Sequence, residues 1–334
     1  MKLKNILFSL IMLVSMLFIG TANAETTAPS SYVIDGSKLH TIYGSSYLSG
    51  SQYIDIQFKK TTDGKIIYCI ERSKAPIGSG TTEKYTLQKE LSSKVAYVME
   101  NGYPNKSIFG NADKDYYTTG LAIWYVINPN DSTFEYFNLA NGTYRGNSSD
   151  IVVEMAKLVN GANSYSYTNP SIKINNSNSN LSLSSDGKYY VSSSMGVKTT
   201  GTVGNYTVSL SNAPEGTIVT DTKGNAKTTF ATNESFLVKV PVSNVKKISN
   251  EFQVNVSAKG TINKAYAYTS TRSNVQNTGA LYPENSNVND STTVKLNVVT
   301  VVEISKVDVT TGEELAGAHL ELKDEKGNLI EAWV

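Results

Sequence analysis

The chain has 334 residues, with 30 basic against 29 acidic side chains and only 18% of positions charged. No basic stripe is present, which excludes nucleic acid and anionic membranes as expected partners. His40 and His319 are the only histidines, too few and too far apart for a zinc site, and no cofactor is implied.

The first residues read as a secretory signal, residues 1–24. Lys2 and Lys4 give a positive start, Ile6 to Ile19 is almost wholly apolar, and Ala22-Asn23-Ala24 has the small-x-small form of a cleavage site. The apolar run is short for a span, which needs roughly 20 residues. A mature chain starting near Glu25 loses two lysines, leaving 28 basic against 29 acidic residues and a net charge of about −1. It is expected to be exported, with no membrane segment after cleavage. The 21 tyrosines and the abundant Ser, Thr and Asn suit β-strands with hydroxyl-rich outer faces.

Residues 25–168 predict an α+β domain. Tyr53 to Phe58 and Lys65 to Ile70 flank Thr61-Thr62-Asp63-Gly64, an Asp-Gly hairpin signal. Cys69 falls on the second of these strands. Leu87, Leu91, Val95 and Val98 recur at helical spacing, and Asn101-Gly102 supplies a stop. A second helix is predicted over Tyr117 to Ile127, ended by Asn128-Pro129. A third covers Ile151 to Asn160, with Asp150 as N-cap and Gly161 beyond its end.

Residues 169–302 predict an all-β sandwich. Ser171 to Ile174, Leu181 to Leu183, Tyr206 to Leu210, Phe236 to Val240 and Phe252 to Val256 alternate with period two, separated by turn clusters. Gln276 to Asp290, rich in Asn, Ser, Gly and Pro, predicts a long loop before a last strand, Val294 to Val302. Residues 303–334 predict the start of a third, incomplete β-unit: about thirty residues of sheet cannot bury a core alone, so a longer protein is expected.

Cys69 is the only cysteine. Exported domains usually pair cysteines, so a single one is a free thiol, an intermolecular link or half of some other covalent bond. Free cysteine is also a common buried apolar residue. A Cys69–His40 hydrolase dyad lacks an activating third group. Asp113-Lys114-Asp115 has half the form of a calcium loop without its Gly and distal Glu.

Tyr68-Cys69-Ile70, the helix opening Thr119-Gly120-Leu121-Ala122-Ile123-Trp124 and the order of helices between them resemble the thioester domain of Gram-positive surface adhesins. Lys306-Val307-Asp308 with Leu315-Ala316-Gly317-Ala318 resembles the opening of a prealbumin-like repeat of the collagen-adhesin B type. The resemblance implies a multidomain fold: an α+β thioester-type domain, an all-β sandwich stalk and a truncated prealbumin-like β-domain. In the family a Cys and a Gln side chain condense to an internal thioester, a single-use trap rather than an enzyme. The resemblance places Gly120 where the family has Gln. Gly120 has no acyl carbon, so the expectation is a cell-surface adhesin that has lost covalent capture and grips a host surface or matrix protein non-covalently. The alternatives are a covalent adhesin pairing Cys69 with another Gln (Gln52, Gln57 and Gln88 lie in the same domain) and a purely structural wall or pilus spacer. The resemblance further implies cell-wall attachment by sortase in the full-length protein, and makes Lys306 a candidate for an intramolecular isopeptide bond whose partner cannot be named.

Overall fold

The computed structural model describes residues 25–334, apart from 51–53, 79, 177–180, 248–250, 296–305, 315 and 324–325. The predicted signal peptide, Gln52, most of the predicted strand over Val294 to Val302 and the start of the third unit at Glu303 lie outside the described residues. The chain divides into two compact units, one running to Lys295 and one from Leu296 to Val334.

The first unit opens with β1 (Glu25–Thr26), β2 (Ser31–Asp35), β3 (His40–Ile42), β4 (Ile56–Lys60), β5 (Ile66–Cys69) and β6 (Thr82–Glu90). The predicted Asp-Gly hairpin joins β4 to β5, pairing Lys59 with Ile67 and Lys60 with Ile66. Gly64 takes φ 92°, a left-handed value that glycine adopts freely. Leu87 lies on β6, so the helical spacing from Leu87 to Val98 reflects two elements. Only Val95 and Val98 belong to the helix α1 (Ser93–Asn101).

Helix α2 (Ala112–Ile127) begins a turn earlier than its apolar pattern, because the Asn111 side chain caps it by accepting from the Lys114 amide. Helix α3 (Asp150–Ser164) is capped by Ser149, one residue before the predicted Asp150. It also runs past Gly161, where a Cβ would stand 2.2 Å from the Tyr97 hydroxyl. That glycine permits close approach of α1 and α3 instead of ending the helix. Between α2 and α3 lies a small sheet of β7 (Phe137–Asn138), β8 (Thr143–Tyr144) and β9 (Asn147–Ser148). The three helices close one core over β4 and β5, built from Ile56, Phe58, Tyr68, Val98, Leu121 and Met155 among others. A second core gathers Ile34, Ile67, Tyr85 and Tyr268.

The strands predicted in the following region are present as β10 (Ser171–Asn175), β11 (Leu181–Leu183), β14 (Thr202–Ser211) and β17 (Phe236–Pro241), and the sequence reading missed β12 (Tyr189–Ser192), β13 (Gly196–Thr200), β15 (Ile218–Asp221) and β16 (Thr229–Phe230). They do not form a separate body. Strand β18 (Glu251–Ser270) runs on from the predicted strand Phe252 to Val256, and β19 (Thr278–Lys295) occupies the segment expected to be a loop. These two pair antiparallel over eighteen consecutive positions, from Glu251–Lys295 to Tyr268–Thr278. The first half of β18 pairs with β14 and its last residues pair with β6, while the start of β19 pairs with β5. A boundary at 168/169 therefore divides the sequence but not the sheet. The Asn, Ser and Pro residues of β19 are tolerated because most of the strand is half-exposed, so its outward side chains need no apolar character.

In the second unit β20 (Leu320–Lys323) and β21 (Leu329–Trp333) form a hairpin. Its turn contains Gly327 at φ 81°, a left-handed value that glycine adopts freely. Lys306 is exposed, outside the buried environment that an isopeptide-forming amine requires.

Candidate functional site

Cys69 ends β5 with its side chain buried, and its surroundings decide its chemistry. The turn between β18 and β19, Thr271 to Asn277, folds back over the end of this strand. Thr278 pairs with Cys69 and Gly279 with Tyr68, and the Ile70 amide donates to the Asn277 carbonyl at 3.0 Å. The turn is held further by the Gln276 amide donating to the Ala75 carbonyl (2.9 Å) and the Ala75 amide to Asn274 (3.1 Å). Gly279 allows this closeness: a Cβ there would meet Ile70 Cγ2 at 2.9 Å and Met99 Cε at 3.0 Å.

These contacts bring the Gln276 carboxamide onto the sulfur. Cys69 Sγ lies 2.6 Å from Gln276 Oε1, well inside ordinary van der Waals contact and comparable to the sulfur-to-oxygen span across an acyl–sulfur bond. A third group converges on the same atom: Lys59 Nζ donates to Sγ at 2.7 Å. All three side chains are buried, Lys59 completely (0% exposed), with Cys69 at 5% and Gln276 at 7%.

The expectation that position 120 holds the acyl partner's place is corrected by this geometry. Gly120 lies mid-helix in α2, where a Cβ would meet Ile56 Cδ1 at 3.1 Å and Tyr68 Cδ1 at 3.7 Å. A side chain at 120 would enter the helix–sheet packing, and the glycine lets α2 settle onto β4 and β5. The carboxamide that faces Cys69 belongs to Gln276 and not to position 120. Of the other glutamines considered, the two described ones, Gln57 and Gln88, do not serve either. Gln57 donates its amide to the Ile77 carbonyl at 3.0 Å, and Gln88 is exposed.

The surroundings fix the pair's position. Trp124 Nε1 donates to the Cys69 carbonyl at 2.8 Å, tying α2 to the end of β5. Tyr85 donates to the Gln276 carbonyl at 3.2 Å, and Tyr116 to the Ile67 carbonyl at 2.7 Å. Burial pushes both phenols up, and the Cys69 sulfur adds to this, so both remain neutral donors. Glu83 on β6 anchors the Gln276 turn by accepting from Ser270, from Thr271 at 3.0 Å and from Arg272 Nε at 2.7 Å. Burial works against its charge, but these hydrogen bonds prevail and hold its carboxyl below the ordinary value.

The remaining sequence candidates are structural. His40 is paired with Asp113 at 2.9 Å and stacked on Phe58. Asp115 is buried and accepts from Ser107 and from the Ile108 and Phe109 amides. Among the described residues no group of His, Cys, Asp and Glu could hold a metal ion. No described helix is long and apolar enough to cross a membrane.

Gln276 and Lys59 were not singled out from the sequence. Gln276 stands 207 positions from its partner, inside a stretch whose composition reads as loop. Lys59 sits beside Lys60 on a strand, the usual appearance of a solvated face. Its place directly opposite Ile67 follows from the register of the β4–β5 hairpin.

A buried thiol touching the carboxamide of a distant hairpin defines a domain equipped to close an internal acyl–sulfur link. Residues 66–178 match the family model of the thioester domain. The matched segment holds Cys69 and Gly120 but ends well before Gln276. The Bacillus anthracis TIE protein superposes with a TM-score of 0.56 at 23% identity, over 82% of this chain and 48% of that one. The thioester domain of the Enterococcus faecium TIE86 protein superposes with a TM-score of 0.53 at 20% identity, over 81% of this chain and 98% of that domain. These likenesses concern the fold. This chain spans about half the length of the Bacillus protein. No curated protein matches it.

Proposed function

We propose that this chain is the adhesive head of a Gram-positive surface protein and captures its target covalently through a Cys69–Gln276 thioester. The observation that carries this reading is the contact of Sγ with the Gln276 carboxamide in a buried site. Bond formation joins Sγ to the Gln276 acyl carbon and releases ammonia, the thiol proton leaving with the amide nitrogen. An amine on a host surface or matrix protein then attacks that carbon. The new amide forms on Gln276, the sulfur leaves, and the proton lost by the amine ends on Cys69. Gln276, not Cys69, becomes attached to the target.

The site acts once per molecule, because no step restores the thioester, and this distinguishes the protein from a turnover enzyme. Export, presentation on the cell wall and attachment by sortase in a longer protein belong to the same reading. They are supported by the signal-like start of the sequence and by the thioester family. Intact mass tests the central claim. The mature chain is expected to be about 17 Da lighter than its sequence, the mass of one ammonia, and Cys69→Ala or Gln276→Ala should abolish the deficit. A wild-type mass equal to the sequence mass, with a titratable thiol, would leave only non-covalent adhesion.

A further inference from the structure

We infer that Lys59 is a catalytic residue of this site, stabilising the sulfur as the acyl bond forms and as the target amine breaks it. The inference rests on the thioester reading and adds to it the group that handles the leaving atom. Lys59 Nζ is 2.7 Å from Sγ, on the reacting atom itself. Its side chain is fully buried, and among the described residues it forms no ion pair with a carboxylate. Burying an amine with so little compensation is costly. An apolar side chain of similar length would fill the same space without that cost. Packing alone therefore does not account for a lysine here, whereas its contact with the sulfur does.

The chemistry needs a donor at this atom. When an amine adds to the Gln276 acyl carbon and the carbon–sulfur bond breaks, the electron pair goes to sulfur in a site almost closed to water. A charge-assisted hydrogen bond from Nζ holds that thiolate until the proton released by the attacking amine reaches it. In bond formation the same contact favours the thiolate that attacks the carboxamide, and the thiol proton departs with ammonia. Lys59 ends each step in the protonation state in which it began.

The experiment uses the full chain with methylamine as probe, following the mass gain of one methylamine and the appearance of a titratable thiol. Wild type without the ammonia deficit would defeat the thioester reading itself, before Lys59 is in question. With the deficit present, Lys59→Met is expected to slow methylamine capture by about 10²-fold, the usual effect of losing one donor to a developing anion. Lys59→Arg, which keeps charge and donors, should recover part of that loss. If the Met variant does not fold by circular dichroism, Lys59→Gln against Lys59→Arg makes the same comparison: Gln slow and Arg faster supports the role. Equal rates for wild type and the neutral variants across neutral to alkaline pH would overturn it. So would a mass deficit that methylamine cannot reverse accompanied by a free Cys69 thiol, since Lys59 would then itself be the acylated group.

Discussion

Moving the carboxamide to position 120 separates the two possible origins of the acyl carbon. In a Gln276→Ala background the sulfur faces no carbonyl, and the ammonia deficit is expected to vanish. Adding Gly120→Gln should not restore it, because a side chain at 120 points at Ile56 Cδ1 (3.1 Å) and Tyr68 Cδ1 (3.7 Å). The new side chain must be forced between α2 and β4–β5, which costs about 1–3 kcal/mol for overpacking. Its carboxamide is left without partners in an apolar core, which costs about 1–3 kcal/mol more. For a unit of this size each kcal/mol lowers the melting temperature by roughly 2–4 °C, so a drop of roughly 5–20 °C is expected. Intact-mass spectrometry and thermal unfolding by circular dichroism read both effects. A deficit of about 17 Da in the double variant, abolished by Cys69→Ala, would show that position 120 reaches the sulfur and would refute the packing argument.

Three further outcomes follow from the same geometry. Trp124→Phe removes the donor to the buried Cys69 carbonyl and should destabilise the unit by about 1–3 kcal/mol, measured by urea unfolding; no loss would mean that the tie between α2 and β5 is unimportant. Gly161→Ala brings a Cβ against the Tyr97 ring and should cost about 1–3 kcal/mol. Most of that cost should disappear in a Tyr97→Ala background, and simple additivity would count against the clash. Because the folded-state pKa of Glu83 is depressed, its contribution to stability is full above the ordinary value of 4.5 and fades as the pH falls through the folded value. Wild type should therefore melt above Glu83→Gln at neutral pH, with the gap closing in acid; a gap independent of pH would contradict the anchoring role of this carboxylate.

Much of the local structure is legible in the residues. The Asp63-Gly64 turn marks the β4–β5 hairpin, the stop at Asn101-Gly102 matches the end of α1, and period-two runs locate strands such as β10 and β17. Apolar spacing runs across the β6–α1 junction at Leu87, and Gly161 has the form of a helix stop inside α3, since spacing and residue type do not say what packs alongside. Likewise Asn, Ser and Pro in β19 read as loop, although an eighteen-position ladder supplies hydrogen bonds that composition does not foretell.

The importance of Cys69 could be inferred from the chain alone, because a single thiol behind a signal-like start has no disulfide partner within the chain and its neighbours resemble a known motif. Its chemical partner could not. Gln276 is brought to the sulfur by a hairpin whose strands also pair with β5 and β6, and Lys59 by the neighbouring strand of the same sheet. Local preference specifies which residues form strands. Which side chain meets a given atom depends on the register between strands distant in sequence, and that is a property of the assembled sheet.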